Sequence, residues 1–253
     1  MKITFLGTNG WYDTLAGNTI CTLVETNKFN IIFDAGNGIY KLNQYLNFNK
    51  PTILFISHLH IDHIEGLHIL GSFSKLSKLD IYVFEDYVSK LRYLLSHPFT
   101  MPIKDLPTKV TIHGIKEGEY TKPFPFTVKA LTHVDPTLGF RIKTEGKIIT
   151  YCCDTGICKN AELLSQKADI LIHESSYLEK QPNIKWGHAS PEEVAALSVK
   201  AGVKKLVLTH FAANLYTTIK LKKYAAKKAQ KIFQNTISAL DDMTIKVGND
   251  KTV

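Results

Sequence analysis

Ser57-His58-Leu59-His60-Ile61-Asp62-His63 decides how this chain folds. Three imidazoles and a carboxylate stand within six residues, directly after the apolar run Thr52-Ile53-Leu54-Phe55-Ile56. A buried strand therefore ends in a loop crowded with metal ligands. Imidazole and carboxylate suit zinc and related divalent ions. They make poor core material, because each needs a polar partner once buried. A structural zinc finger needs Cys or His pairs at other spacings. A catalytic site keeps a position open for water, and this cluster is rich enough to hold two ions.

The bulk composition leaves room for such a site and narrows its setting. A length of 253 residues suits one large domain or two small ones, and the absence of any linker favours one domain over 1–253. Hydrophobic content of 44% with 21% charged residues is ordinary for a soluble globule. No apolar run reaches the length of a membrane span. The N-terminal Met1-Lys2-Ile3-Thr4-Phe5-Leu6-Gly7 reads as a first strand and not as a signal peptide, so a cytoplasmic protein is expected. Cys21, Cys152, Cys153 and Cys158 form neither a disulfide framework nor a zinc knuckle. Cys152 and Cys153 are expected to point to opposite faces of one strand, with Cys153 directed away from Asp154. The net charge of +8 comes almost wholly from Lys. It favours anionic partners such as phosphates or RNA, and it equally serves solubility.

Along the chain, Ile20 to Glu25 and Phe29 to Phe33 read as a hairpin around Thr26-Asn27-Lys28. Gly36-Asn37-Gly38 breaks the chain before a helix over Ile39 to Leu46. Helices are expected from near Ile64 and over Phe84 to Leu95, then a Pro-interrupted loop from His97 to Pro107. Val110 to Ile115 and Phe126 to Leu131 read as strands. Phe140 to Thr144 and Lys147 to Cys152 flank a tight turn at Glu145-Gly146. A helix (Ala161 to Ser165) and a strand (Asp169 to Ile172) follow. Ser190-Pro191-Glu192-Glu193 then opens a helix with an N-cap, a first-turn Pro and acids near the positive dipole end. A strand (Lys205 to Leu208), a basic helix (Lys220 to Phe233) and a last strand (Thr244 to Val247) complete the chain. This order predicts sheets packed face to face with helices outside.

Later segments repeat the logic of the first cluster, an apolar strand ending in a ligand-type residue. They end at His133, Asp154, His173-Glu174 and His210. Strand ends gathered at one sheet edge place polar groups on a rigid scaffold, and a two-metal site needs about this many ligands.

The HxHxDH spacing resembles the metallo-β-lactamase superfamily. Other stretches resemble its RNase Z branch of tRNA 3′-end endonucleases and related phosphodiesterases. These are Phe5-Leu6-Gly7-Thr8, Phe33-Asp34-Ala35-Gly36, Thr137-Leu138-Gly139-Phe140-Arg141-Ile142, Asp154-Thr155-Gly156, Ile172-His173-Glu174-Ser175-Ser176, Gly187-His188-Ala189-Ser190 and Leu208-Thr209-His210-Phe211. The resemblance implies an α/β fold, the αββα sandwich, with two divalent metal ions, usually zinc, although an O/N ligand set of this sort also accepts manganese. By motif position His58, His60 and His133 would take one ion. Asp62, His63 and His210 would take the other, and Asp154 would bridge them. Asp62 would hold and deprotonate the attacking water, and His188 would protonate the leaving oxygen. Asp34 is expected to orient the metal loop, and Glu174 to accept a hydrogen bond from a ligand imidazole, with His173 beside it.

The long arm by which RNase Z grips tRNA would lie between His133 and Asp154, where this chain has room only for the hairpin Phe140 to Cys153. Gly36-Asn37-Gly38-Ile39-Tyr40 also departs from the branch's pattern. The armless relatives imply a hydrolase for small phosphodiesters, cyclic nucleotides foremost, acting as a homodimer whose interface uses the loop from His97 to Pro107. Trp11, Tyr12 and Tyr216 are candidates to stack on a base. The alternative is an armless RNase Z-type endonuclease that holds RNA on Lys220, Lys222, Lys223, Lys227, Lys228 and Lys231. A binding protein with an inactive site and a β-lactam or thioester hydrolase complete the field.

Overall fold

Strand residues alternate between two destinations, and that alternation builds the layers. Ile31, Phe33, Ile53 and Phe55 enter one apolar cluster together with Ile149, Tyr151, Ile170, Ile172 and Val207. Their neighbours Ile32, Leu54 and Ile56 enter a second cluster with Ile39, Leu67 and Leu91. Cys152, Leu171, Leu206 and Leu208 enter a third with Leu164, Val194 and Ala225. The first cluster lies between two sheets, and the other two lie under the flanking helices. The computed structural model describes residues 1–180 and 185–248.

Both sheets are mixed and seven-stranded. The first runs Met243–Lys246, Lys2–Gly7, Cys21–Glu25, Asn30–Phe33, Thr52–Phe55, Lys78–Phe84, Lys109–Ile115. The second runs Thr236–Ser238, Leu206–Thr209, Ile170–Glu174, Lys147–Cys152, Leu138–Thr144, Phe126–Ala130, Gly118–Tyr120. A parallel pair of short strands, Asn9–Gly10 and Phe211–Ala212, ties the first half of the chain to the second. Aromatic rings join the sheets across the middle: Phe33 stacks on Tyr151 at 4.7 Å, and Phe55 packs on Phe140 at 5.0 Å. No helix among the described residues is long and apolar enough to cross a membrane.

Several local expectations meet the structure with adjustments. The hairpin over 20–33 is present, as Cys21–Glu25 antiparallel to Asn30–Phe33. Glu145 and Gly146 both take positive φ, 52° and 70°, which lets the tight turn match the strand twist. The helix from Ser190 is Pro191–Ala201, and Glu193 accepts from the Ser190 N–H and hydroxyl at 3.1 and 2.8 Å. It ends at Gly202 in the left-handed region, φ 63°.

The segment read as a helix over 39–46 is a 3-10 helix, Asn37–Gln44. The helix expected from near Ile64 begins at Ile61, and after Ile64 it tightens to 3-10 over Glu65–Ser72. Phe84 belongs to a strand, Lys78–Phe84, that the reading passed over; the α-helix is only Val88–Leu94.

One correction bears on function. Lys222, grouped with the RNA-facing lysines, is fully buried. The helix Ile219–Gln230 turns Lys222, Ala225, Ala226 and Ala229 inward, a helical spacing that forms one face. Lys228 is also occupied, on the Leu178 carbonyl and Glu192.

Phe55 touches five aromatic neighbours between the sheets, Phe33, Tyr82, Phe124, Phe126 and Phe140. Phe55→Ala is therefore expected to lower unfolding free energy by about 3–5 kcal/mol, against about 0.5–1.5 kcal/mol for Ile32→Val under the outer helices. Denaturant titration of both variants checks this, and equal losses would contradict an aromatic seam as the main tie between the sheets.

Candidate metal centre

The chemistry-bearing residues stand where strands stop. Asn30–Phe33 and Thr52–Phe55 run parallel in one sheet, and Lys147–Cys152, Ile170–Glu174 and Leu206–Thr209 run parallel in the other. The residues just past three of these ends reverse the backbone: Asp34, Asp154 and His210 have φ of 55°, 51° and 48°. Trp11, at the end of the short strand Asn9–Gly10, has φ 78°. Each such conformation costs on the order of 1–3 kcal/mol and persists only where the surroundings enforce it. Gly10 shows how tight those surroundings are, since a Cβ there would lie 2.3 Å from His210 Cε1.

The result is a cage with two ends. Asp154 divides its carboxylate between them. Oδ2 lies 3.6 Å from His58 Nε2 and 3.7 Å from His133 Nε2. Oδ1 lies 3.4 Å from His63 Nε2 and 3.0 Å from His210 Nε2. His60 joins the first group, its Nδ1 3.4 Å from His133 Nε2. Asp62 joins the second, its Oδ2 3.3 Å from His210 Nε2 and 3.7 Å from His63 Nε2.

The outward nitrogen of every one of these imidazoles has a partner. His58 Nδ1 meets Ser57 Oγ at 3.1 Å, and His60 Nε2 meets Asp135 Oδ2 at 2.8 Å. His63 Nδ1 meets Asp34 Oδ2 at 2.9 Å, His133 Nδ1 the Gly187 carbonyl at 3.4 Å, and His210 Nδ1 Ser176 Oγ at 3.1 Å. Ser57 and Ser176 give their own protons to Asp34 and to the His210 carbonyl, so both must accept from the rings. Five rings with protons fixed outward turn five lone pairs inward, the pattern that orients metal-binding histidines.

These donors fit divalent ions on three grounds. His63 Nε2 and His210 Nε2 face each other at 3.1 Å, although both rings hold their protons on the far nitrogen. His58 Nε2 is buried with no hydrogen-bond partner. The 3.0–3.7 Å separations also match the roughly 3.4 Å edge of a tetrahedron built on bonds of about 2.1 Å. His58, His60, His133 and Asp154 thus make one group that could hold an ion, and His63, Cys153, Asp154 and His210 another, with Asp62 beside the second.

Electrostatics agrees with the geometry. Burial works against a charge on Asp154, yet the His210 and His63 rings hold its carboxyl well below the usual range. Burial likewise opposes charge on His210, and Asp154 and Asp62 overcome it, raising it to about 10. His58, buried among like rings, is pushed well below the ordinary imidazole value, first by burial and then by His63. Asp154 and Asp62 thus favour positive charge at the His63 and His210 end of the cage, which a divalent ion would supply in place of ring protons.

His188 stands beside the cage, its ring 5.1 Å from that of His133. Glu174 Oε1 accepts from His188 Nδ1 at 2.8 Å, and Glu174 also takes the N–H groups of Thr155 and Ser176. Burial lowers the His188 pKa, and Glu174 more than restores it, leaving it raised. Glu174 was expected to hold a ligand imidazole; it holds His188 instead. His173 faces away and bonds the Glu174 carbonyl. Asp34 does orient the metal loop, accepting from Ser57, His63 and Tyr151.

Two further expectations are corrected. Cys153 does lie opposite Cys152, in the core between the sheets, but that face leads into the site, and its thiol sits 3.6 Å from Asp154 Oδ1. The left-handed turn at Asp154 brings both side chains to the same end. Tyr216 is fully buried, its hydroxyl on the Tyr177 carbonyl, so it offers no ring to a base.

Above the cage opens a cavity of about 750 Å³ whose walls include Trp11, Ile61, Tyr177, Trp186, His188 and Leu215. Trp186, 55% exposed, and the partner carboxylate Asp135 escaped the sequence reading. Trp186 lies two residues before His188, and Asp135 two after His133, close enough to a motif to have been weighed.

Residues 29–211 match a family described as beta-lactamase superfamily domain. Among curated proteins, the Ribonuclease Z of Archaeoglobus fulgidus is 26% identical over 309 aligned positions, covering 99% of each chain. That of Nostoc sp. is 28% identical over 315, covering 98% of this chain and 95% of the relative. Both alignments exceed the 253 residues present here, so those relatives carry segments this chain lacks. Among solved structures, the metallo-β-lactamase fold protein YhfI from Bacillus subtilis superposes with a TM-score of 0.80 at 21% identity, over 97% of this chain and 99% of that one. The short form of human tRNase Z gives 0.73 at 24% identity, over 98% and 100%. Cage, sandwich and sequence match converge: the chain belongs to the metallo-β-lactamase superfamily, and within it resembles the RNase Z branch.

Proposed function

We propose that this protein is a two-metal phosphodiesterase for small nucleotide phosphodiesters, cyclic nucleotides foremost. The observation that carries this reading is the cavity. At about 750 Å³ it has the capacity for a nucleotide, and two exposed indoles, Trp11 and Trp186, stand in its wall directly above the ligand cage. Aromatic faces accept any base by stacking. The short connection from His133 to Asp154, a single hairpin over 138–152, supports a small substrate over a folded RNA.

In this reading His58, His60, His133 and Asp154 would hold one divalent ion, and Asp62, His63, His210 and Asp154 would hold the other. When bound, such a pair would make a water nucleophilic near neutral pH and neutralise charge on a phosphoryl group. Asp62 orients that water and takes its proton on the carboxylate. The Trp11 N–H, 2.6 Å from Asp62 Oδ2, keeps the carboxylate aimed. His188, fixed at Nδ1 by Glu174, delivers a proton from Nε2 to the departing oxygen. The apolar walls leave the base as the group they grip.

A second reading has its own support. The relatives matched over nearly the whole chain bear the name Ribonuclease Z, and Lys220, Lys223, Lys227 and Lys231 remain exposed on the basic helix. An armless RNA 3′-end endonuclease would use that face, with steep salt dependence.

Turnover of 3′,5′-cyclic and 2′,3′-cyclic nucleotides and of precursor tRNA, with zinc or manganese added, separates the two. Cyclic nucleotides should be cleaved and Asp62→Ala should lose about 10²–10⁴-fold in rate. Cleavage of precursor tRNA alone would replace the first reading by the second. Trp186→Ala should raise KM for the cyclic nucleotide by about 5- to 100-fold, the worth of one stacked base, with kcat nearly unchanged. An unaltered KM would show that Trp186 does not grip the base.

A further inference from the structure

Lys222 is fully buried, and its ammonium donates to Thr8 Oγ1 at 2.8 Å, Asn9 Oδ1 at 2.6 Å and the Ala16 carbonyl at 3.0 Å. An ammonium has three protons, so all are used, and every acceptor belongs to one stretch of chain, residues 8–16. Asn9, itself fully buried, extends the grip. Its Nδ2 has the Tyr12 carbonyl, Thr14 Oγ1 and the Gly17 carbonyl within 3.2, 3.0 and 2.8 Å, so its two protons are shared among three acceptors of the loop. Asp241 closes the far side: Oδ1 accepts from Thr8 at 2.7 Å, and Oδ2 from Asn18 N and Lys41 Nζ at 2.8 and 2.9 Å. Gly17 fits because a Cβ there would lie 2.6 Å from Asp241 Oδ1 and 2.9 Å from Lys222 Nζ.

The same loop reaches the site from its other side. Trp11 stands at φ 78° and gives its N–H to Asp62 Oδ2 at 2.6 Å. A bulky side chain holds that conformation only under constraint. Released, the loop would let Trp11 return to negative φ and withdraw both the N–H and the ring.

We propose that Lys222 and Asn9 are positioning residues for the hydrolytic reaction: they clamp residues 8–17 from the core, so that the Trp11 N–H fixes Asp62 and the Trp11 ring stays in the cavity wall. Neither touches substrate, and both act through Trp11. The proposal rests on the role given to Asp62 above.

The chain has two tryptophans, so Trp186→Phe leaves Trp11 as a single fluorescent reporter of the loop. In that background, Lys222→Met and Asn9→Asp should each speed the anisotropy decay of Trp11, with far-UV circular dichroism unchanged. Asn9→Asp strengthens the acceptor for Lys222 and removes the amide donors that hold Tyr12, Thr14 and Gly17, so it decides the matter if Lys222→Met does not fold. With Trp186 in place, both variants should cleave bis(p-nitrophenyl) phosphate about tenfold more slowly in kcat, as sub-ångström misplacement of a catalytic group does, with KM within about twofold. A folded variant whose Trp11 stays rigid, or whose kcat is unchanged while Trp11 moves, overturns the proposal. A wild-type protein inert to this diester would sink the reading of Asp62 and the catalytic half of the proposal with it. The anisotropy would still decide the clamp.

Discussion

The division of one carboxylate between two histidine groups is the constraint on which the rest depends. Asp154 Oδ2 faces His58 and His133, and Oδ1 faces His63 and His210. A fully buried carboxylate among five imidazoles is costly unless something compensates its charge and theirs. The two sheets meet that demand by ending strands at a common edge: the loop after Thr52–Phe55 delivers His58, His60, Asp62 and His63, and the ends of three strands of the other sheet deliver His133, Asp154 and His210. Left-handed turns at Asp34, Asp154 and His210 then swing the side chains inward. The turn at Asp34 is tied to the aromatic seam between the sheets, where Phe33 stacks on Tyr151 and Tyr151 in turn donates to Asp34. Fold stability and site geometry are thus coupled through the same residues.

Around the cage the partners fall into two kinds. Asp34, Asp135, Ser57 and Ser176 fix ring protons outward and so set which nitrogens point in. Glu174 serves a different end, holding His188 beside the cage with one nitrogen free. Segregating these carboxylates matters. A single acid serving both a cage ring and His188 would couple the proton on His188 to the occupancy of the cage.

Much of this was legible in the chain itself. HxHxDH after an apolar strand is specific because three imidazoles and a carboxylate in one loop have few other uses, and His133, Asp154 and His210 each follow an apolar run. The unbroken apolar run Ile53 to Ile56 marked a buried strand. What stayed hidden depends on contacts distant in sequence. Asp135 pairs with His60 across 75 positions, and Lys222 with Asn9 across 213. Lys222 was misjudged by its chemistry, since a lysine on a basic helix reads as solvated. Its alignment with Ala225, Ala226 and Ala229 on one helical face was the available counter-signal. The strand Lys78–Phe84 was missed because its edge at Phe84 merges with a helix start at Glu85.

The most direct test of the two-ended cage is metal content, measured by mass spectrometry on protein loaded with zinc or manganese and freed of excess. Two ions per chain in the wild type, falling to one or none in a folded Asp154→Ala variant, is the result this account predicts. One ion or none in the loaded wild type, or two retained without the Asp154 carboxylate, would contradict it.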